Sequence, residues 1–117
     1  MSNFCLPKDA RLLKRSQFLT LSKKGEKVHT DYFIAIVLKG NAKNNRLGIT
    51  VSKKAGNAVK RNRIKRIIRE YFRHRKQIIT GPMDINIVAR KSLTTLSNEQ
   101  INKKLDNLFK KIALNII

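Results

Sequence analysis

Residues 46–72 read RLGITVSKKAGNAVKRNRIKRIIREYF, and this stretch contains a strand, a turn and most of a long helix. The first seven residues alternate, which predicts Leu47, Ile49 and Val51 on one face of a strand. Apolar side chains then recur every three or four residues, which predicts a helix from about residue 57 or 58 to 77 with one buried stripe. The stripe consists of Ile64, Ile67, Ile68, Tyr71 and Phe72. A strand with one apolar face followed by an amphipathic helix favours a helix packed on a sheet.

The chain before this stretch predicts a short helix and a second strand. Ser16 is a candidate cap for a helix that runs to about residue 23, and Gly25 is its predicted stop. Aromatic and β-branched residues fill 32–38, which indicates a strand buried on both faces. A turn at 40–45 would then let the strand quoted above return beside it as a hairpin.

The chain after the long helix predicts one more strand and a last helix. Residues 84–89 form the strand, after a connection that ends at Gly81-Pro82. Ser97 is the predicted cap of the last helix, and Gln100 stands at the capping-box position. The core stripe of that helix consists of Ile101, Leu105, Leu108, Phe109 and Ile112. The predicted order is αβββαβα, an α+β two-layer sandwich of three helices and a small, mostly antiparallel sheet.

Charge indicates the kind of partner. The 117 residues carry a formal net charge of +20, and 41% of them are hydrophobic, which suits one folded domain over 1–117. So much like charge repels itself in a compact state, so a polyanion that neutralises it is the expected partner. The alternatives are charge for solubility alone and a membrane surface. Solubility needs far less charge, however, and no apolar run is long enough to span a bilayer.

Several kinds of site are not expected from the residues available. Cys5 is the only cysteine and the two histidines are far apart, so neither a disulfide nor a metal site is predicted. A protein-only nuclease would need clustered carboxylates for Mg²⁺. The seven acids show no such cluster in sequence and are Asp9, Glu26, Asp31, Glu70, Asp84, Glu99 and Asp106. No catalytic side chain is therefore predicted. The N-terminus lacks the apolar stretch of a signal peptide, so a cytoplasmic protein is expected.

The positive charge is concentrated in residues 53–76. This segment holds 11 of the 27 Lys and Arg residues but only one acid, Glu70, so salt bridges cannot explain the charge. At about 100° per residue, one arc on the flank and back of the helix is polar and basic. The arc consists of Arg61, Asn62, Lys65, Arg66, Arg69 and Arg73. Such a surface can follow a phosphate backbone, and the alternative is a solvated face that binds nothing.

The same residues resemble a known family. KKAGNAVKRNRIKRIIREYF, residues 53–72, resembles the signature of the bacterial ribonuclease P protein, with Arg61-Asn62-Arg63 as its core. Further similarity lies in the pair Arg11-Leu12 followed by Phe18, and in residues 46–52 and 87–91. The resemblance covers about residues 6–113.

The resemblance implies a function in tRNA maturation. The family's proteins bind a catalytic RNA that, with bound Mg²⁺, hydrolyses one phosphodiester of precursor tRNA and releases the 5′ leader. The expected partners are therefore ribonuclease P RNA and precursor tRNA, with no membrane or protein partner. The resemblance also implies a left-handed βαβ crossover, which general handedness rules would not predict. The implied RNA contacts are Lys53, Lys54, Asn57, Arg61, Asn62, Arg63, Lys65, Arg66, Arg69 and Arg73.

The resemblance also implies a cleft for the leader between the first helix and the sheet. Its candidate residues are Phe18, Arg11 and Ile36, and Phe18 would stack on an unpaired base. The alternative for Phe18 is a place in the core. Ser22 and Ile36 stand where aromatic residues can occur in relatives, so stacking is expected to be weak and phosphate contacts to contribute more. The rival function is that of another small structural RNA-binding protein.

Overall fold

The amphipathic patterns become three helices and four strands in the computed structural model, which describes residues 11–12, 14–39, 45–75 and 83–115. Two short 3₁₀ turns, Lys53–Ala55 and Lys91–Thr95, precede the second and third helices. The elements are α1 (Arg15–Lys24), β1 (Glu26–His29), β2 (Phe33–Lys39), β3 (Arg46–Val51), α2 (Ala58–Arg75), β4 (Met83–Ala89) and α3 (Asn98–Asn115). The predicted α+β class and the order αβββαβα are confirmed.

The strands lie in the order β1-β2-β4-β3. β2 pairs antiparallel with β1 and with β4, whereas β3 pairs parallel with β4. The predicted hairpin between β2 and β3 is therefore wrong, because β4 lies between them. β4 is buried on both faces, and a strand of that kind fits the centre of a sheet, where both faces are covered. Together β3, α2 and β4 form a βαβ unit, whose left-handed sense stays a prediction from the resemblance.

Helices cover both faces of the sheet. α2 and α3 bury a large core against one face, with Phe33 and Ile87 among its sheet residues. α1 covers the other face through a smaller cluster that joins Leu12, Leu21 and Ile36. This layer on the second face was not part of the predicted two-layer description. It creates a boundary between α1 and the strands β2, β4 and β3.

The ends of the helices follow local hydrogen bonds. α1 begins at Arg15, with Lys14 as its cap, so the predicted cap at Ser16 is wrong. The Gln17 side chain accepts the Lys14 backbone N–H at 3.0 Å, so the helix is already capped two residues before Ser16. Gly25 ends the helix as predicted. A side chain there would meet the Leu21 carbonyl oxygen at 2.6 Å and the Ile36 side chain at 2.7 Å.

The start of α3 agrees with its sequence. The Ser97 backbone N–H donates to the Gln100 side chain at 2.9 Å, and the Gln100 N–H donates to the Ser97 hydroxyl at 3.2 Å. The predicted capping box is therefore confirmed, and all five predicted stripe residues of α3 are buried. The predicted turn at 40–45, except Asn45, lies outside the described residues, as do the end of the long helix at 77 and Gly81-Pro82.

Candidate nucleic-acid interface

α2 separates an apolar side from a basic one. Ile64, Ile68, Tyr71 and Phe72 are buried against the sheet and α3. The predicted arc lies on the remaining surface, where Asn62 and Arg66 are exposed and Arg61, Lys65, Arg69 and Arg73 are half-buried. Half-buried Lys and Arg cover apolar surface with their stems while the charged ends reach water. The arc is therefore a surface held in place by the packing of the helix beneath it.

Most of the arc has no acidic partner. Among the described residues, ion pairs join Arg46 to Asp84 and join Glu70 to Arg73 and His74, and none is found for the other cations of the arc. Arg61, Lys65, Arg66 and Arg69 therefore have no ion pair with a described carboxylate. Cations left unpaired on one side of a helix create a strong local positive potential. Phosphate oxygens suit such a surface better than any neutral ligand.

Glu70 is the exception within the basic helix. Its Oε1 accepts Arg73 Nη2 at 2.8 Å and lies 2.7 Å from His74 Nε2. Burial acts to raise the pKa of Glu70, but the hydrogen bonds and charges of Arg73 and His74 outweigh it and hold that pKa below its usual value. Arg73 is thus partly neutralised, unlike the rest of the arc.

The turn between β3 and α2 presents two further lysines. Ser52 accepts the Lys54 N–H through its hydroxyl at 3.1 Å and starts the 3₁₀ turn, so Lys53 and Lys54 are exposed beside the helix start. Gly56 follows at φ 141°, in the region that favours glycine. The Asn57 side chain then accepts the Lys60 N–H at 3.0 Å and caps α2. Asn57 therefore has a structural task besides its predicted contact with RNA.

Arg63 does not belong to the arc. Its guanidinium donates from Nε to Asn98 Oδ1 at 3.1 Å, and from Nη2 to Asn98 Oδ1 at 2.7 Å and to the Leu96 carbonyl at 2.9 Å. These partners lie at the start of α3, on the flank of α2 that faces away from Arg61. The helical spacing already separates the two arginines by about 200°.

The predicted leader residues occupy three different environments. Phe18 is half-buried on α1, and its ring lies so close to Gly48 that an added Cβ would be 2.5 Å from it. Ile36 is buried beneath α1 in the small cluster. Arg11 bridges to Leu47, whose side chain belongs to the core under α2 and α3. Paired residues share a face of the sheet, so Arg11 lies on the side of α2 and Leu12 on the side of α1.

Comparisons with known proteins agree with this architecture. The family model described as Ribonuclease P matches residues 6–113. The chain belongs to the Ribonuclease P family. It is 52% identical to the Ribonuclease P protein component of Desulforapulum autotrophicum over 113 residues, which cover 97% of both chains. It is 43% identical to the component of Desulfatibacillum aliphaticivorans over 97% of this chain and 96% of that one.

Solved structures of Ribonuclease P proteins have the same fold. The Staphylococcus aureus RNase P protein is 38% identical, with a TM-score of 0.82, covering 86% of this chain and 93% of that one. The Thermotoga maritima protein is 36% identical, with a TM-score of 0.78, covering 86% of this chain and 94% of that one. Membership of the family makes this chain the protein part of a ribonucleoprotein endoribonuclease that processes the 5′ end of tRNA. Association with ribonuclease P RNA and a tRNA substrate follows from that membership.

The α1 side of the sheet has a polar floor, formed by Arg46, Asp84, Thr50 and Asn86, that sequence reasoning missed. Arg46 donates to both oxygens of Asp84, at 2.8 and 2.7 Å, and Thr50 donates to Asn86 Oδ1 at 3.2 Å. The hydrogen bond with Asp84 raises the pKa of Arg46 further. Asp84 and Asn86 were obscured because they alternate with isoleucines in an apparently apolar strand. Gly48 pairs with Asn86, so the Phe18 ring lies beside this floor.

Two further observations concern metals and membranes. Across the described ranges, no three His, Cys, Asp or Glu side chains come together as a group that could hold a metal ion. No helix in the described portion has the length and apolarity needed to cross a bilayer.

Proposed function

We propose that this protein binds the catalytic RNA of ribonuclease P through α2 and holds the 5′ leader of precursor tRNA on its α1 side, supporting removal of that leader. The observation that carries the proposal is the set of arc cations that lack a carboxylate partner. We further propose that residues 1–117 act as one domain and that the protein works in the cytoplasm.

The surface proposed for the catalytic RNA consists of the arc and the lysines before it. Exposed Lys53 and Lys54 extend the positive surface beyond the N-terminus of α2. The first turn of a helix favours phosphate because its free N–H groups carry partial positive charge. Arg11 lies on the same side of the sheet as α2, so we assign it to this surface and no longer to the leader.

For the leader, we propose the boundary between α1 and β3. Phe18 is half-buried there, so part of its ring is available to an unpaired base, and the polar floor lies next to it. Ile36 supports α1 from below and would contribute through packing rather than by direct contact. The balance of one accessible aromatic residue and several polar groups favours weak stacking combined with hydrogen bonds.

Metal chemistry is assigned to the RNA. The family's activity is metal-dependent, and Mg²⁺ is the ion that we propose. Mg²⁺ prefers carboxylate oxygens and phosphates, and the described residues bring no carboxylate cluster together. The protein residues thus do not fit a resident Mg²⁺ site, and their task is to neutralise and position RNA so that the ions held by RNA can act.

Cleavage of precursor tRNA at limiting Mg²⁺ tests this function. The RNA subunit from the same genome would be assayed alone, with this protein, and with an unrelated basic protein of similar charge. We expect the RNA subunit to regain rapid cleavage at the mature 5′ end when this protein is added, and not when the unrelated protein is added. Equal restoration by the unrelated protein would reduce the role to general charge neutralisation, and cleavage by the protein without RNA would contradict the assignment of catalysis.

A further inference from the structure

Arg63 differs from the arc cations Lys65, Arg66 and Arg69 because its guanidinium already donates hydrogen bonds to other described parts of the protein. Three hydrogen bonds of 2.7–3.1 Å join it to the Asn98 side chain and the Leu96 carbonyl. No hydrogen bond to a side chain or carbonyl outside the helix's own backbone is found for Lys65, Arg66 or Arg69 within the described residues. Neighbouring positions of one motif therefore have different environments: the Asn62 side chain is exposed to solvent, and the Arg63 side chain contacts the protein.

The partners of Arg63 lie where two elements meet. Leu96 ends the 3₁₀ turn Lys91–Thr95, and Asn98 is the first residue of α3. Arg63 thus joins α2 to the connection that leads from β4 into α3. A cation near a helix N-terminus is disfavoured by the helix dipole, so an incidental approach is a poor explanation for this contact. Three directed hydrogen bonds with good distances offset that cost.

The contact also bears on the orientation of the basic surface. α2 packs against α3 along one flank, and the Arg63 hydrogen bonds are among the contacts that fix the helix there. A small rotation would move Arg66 and Arg69 relative to Lys53 and Lys54, which lie on a separate turn. Phosphates are spaced regularly along RNA, so the relative placement of these cations affects affinity.

We propose that Arg63 is a positioning residue that fixes the RNA-binding surface by fastening α2 to the start of α3, and that it makes no phosphate contact of its own. The proposal rests on the proposed function of α2. It reverses the expectation that all three residues of the Arg61-Asn62-Arg63 core contact RNA.

The test measures affinity for the ribonuclease P RNA of the same genome across a salt series, with the full chain. Arg66→Gln is the matched control, because Arg66 is exposed and also loses one positive charge. Arg66→Gln should flatten the log–log salt slope by about 0.7 to 0.9 units and leave Tm unchanged. Arg63→Gln should lower Tm by about 5 °C and weaken binding about three- to thirtyfold at every salt concentration, with an unchanged slope.

Asn98→Ala provides a second test without a change of charge. It removes one acceptor of the contact and should reproduce the parallel loss of affinity, and the double variant should bind no more weakly than Arg63→Gln alone. All affinities are measured below the Tm of each variant. If Arg63→Gln does not fold, the affinity and the salt slope of Asn98→Ala alone test the proposal.

Two results would overturn the proposal. One is a flattened slope for Arg63→Gln that equals that of Arg66→Gln, since this would show a phosphate contact. The other is a lower Tm with unchanged affinity of the folded protein for both variants, which would reduce Arg63 to a structural role. Failure of the wild-type protein to bind this RNA would instead contradict the proposed function of α2.

Discussion

α2 and α3 are helices of 18 residues each on the same face of the sheet, yet their outer surfaces are different. α2 carries eight Lys and Arg residues and one acid, whereas α3 carries four and two. Two of the four cations of α3 are already engaged: Lys104 lies 5.2 Å from the centre of the Tyr32 ring, and Lys111 donates to the His29 carbonyl at 2.5 Å. On our proposal, the inner stripes of both helices serve the fold, and of their two outer faces only that of α2 binds RNA.

Cavities of equal size in the two inner stripes should lower the free energy of unfolding by similar amounts. Ile64 on α2 and Ile101 on α3 are both fully buried. Truncating either to Ala should lower the free energy of unfolding by about 2–5 kcal/mol, because each leaves a cavity in the same core. Urea unfolding followed by circular dichroism measures both losses. The salt slope of RNA binding should not change in either variant, and a flattened slope in Ile64→Ala would contradict the separation of inner and outer faces.

Removing a hydrogen bond at the seam between α2 and α3 should lower the free energy of unfolding less than these cavities do. Tyr71 on α2 donates to Asp106 on α3 with an oxygen–oxygen distance of 2.5 Å. Tyr71→Phe keeps the ring and removes the hydroxyl, so the free energy of unfolding should fall by about 1.5–3 kcal/mol, as expected for a hydrogen bond to a charged group. The same urea experiment on Asp106→Asn should show a smaller loss, because the amide oxygen can still accept. A loss of RNA affinity at unchanged slope in Tyr71→Phe would show that this seam also positions α2.

The smallest expected effect is a change in the salt slope when Glu70, the one acid beside the arc, is neutralised. Glu70→Gln releases Arg73 from its carboxylate partner, so the salt slope should steepen by up to about one phosphate contact. The folded pKa of Glu70 lies below its unfolded value, so its contribution to stability is present above the unfolded pKa and is lost as pH falls through the folded pKa. Any Tm difference between Glu70→Gln and the wild type should therefore shrink in acid. A flatter slope in the variant would show that Glu70 organises the arc.

Local patterns predicted the helices well and the contacts between distant elements poorly. The stripe of α3 and its Ser97 cap follow from periodicity and from short-range hydrogen bonds, both of which are visible in sequence. The order of the strands is different, because no local pattern shows that β4 lies between β2 and β3. Turn composition suggested a hairpin, and the burial of both faces of β4 decided otherwise.

The candidate site shows the same division. The arc of α2 follows from charge and helical spacing, so its solvent-facing cations could be located in advance. The contact of Arg63 with Asn98 joins residues 35 positions apart and has no local signature. Arg11 could have been placed better, because Leu12 is apolar and must face a core, which sends its neighbour to the opposite side. The polar floor was missed because Asn86 lies within an otherwise apolar strand.

The most direct test of the central claim removes equal charge from the two outer surfaces. Lys65→Gln with Arg69→Gln changes α2, and Lys103→Gln with Lys110→Gln changes α3, where both lysines are exposed. Arg61 is left intact because its Nε is buried, and Lys104 because of its ring contact. Affinity for ribonuclease P RNA is measured across a salt series for each double variant. We predict that the α2 variant flattens the log–log slope by about 1.4 to 1.8 units and that the α3 variant leaves it nearly unchanged. Equal flattening by both variants would contradict the claim, because binding would then depend on net charge and not on the surface of α2.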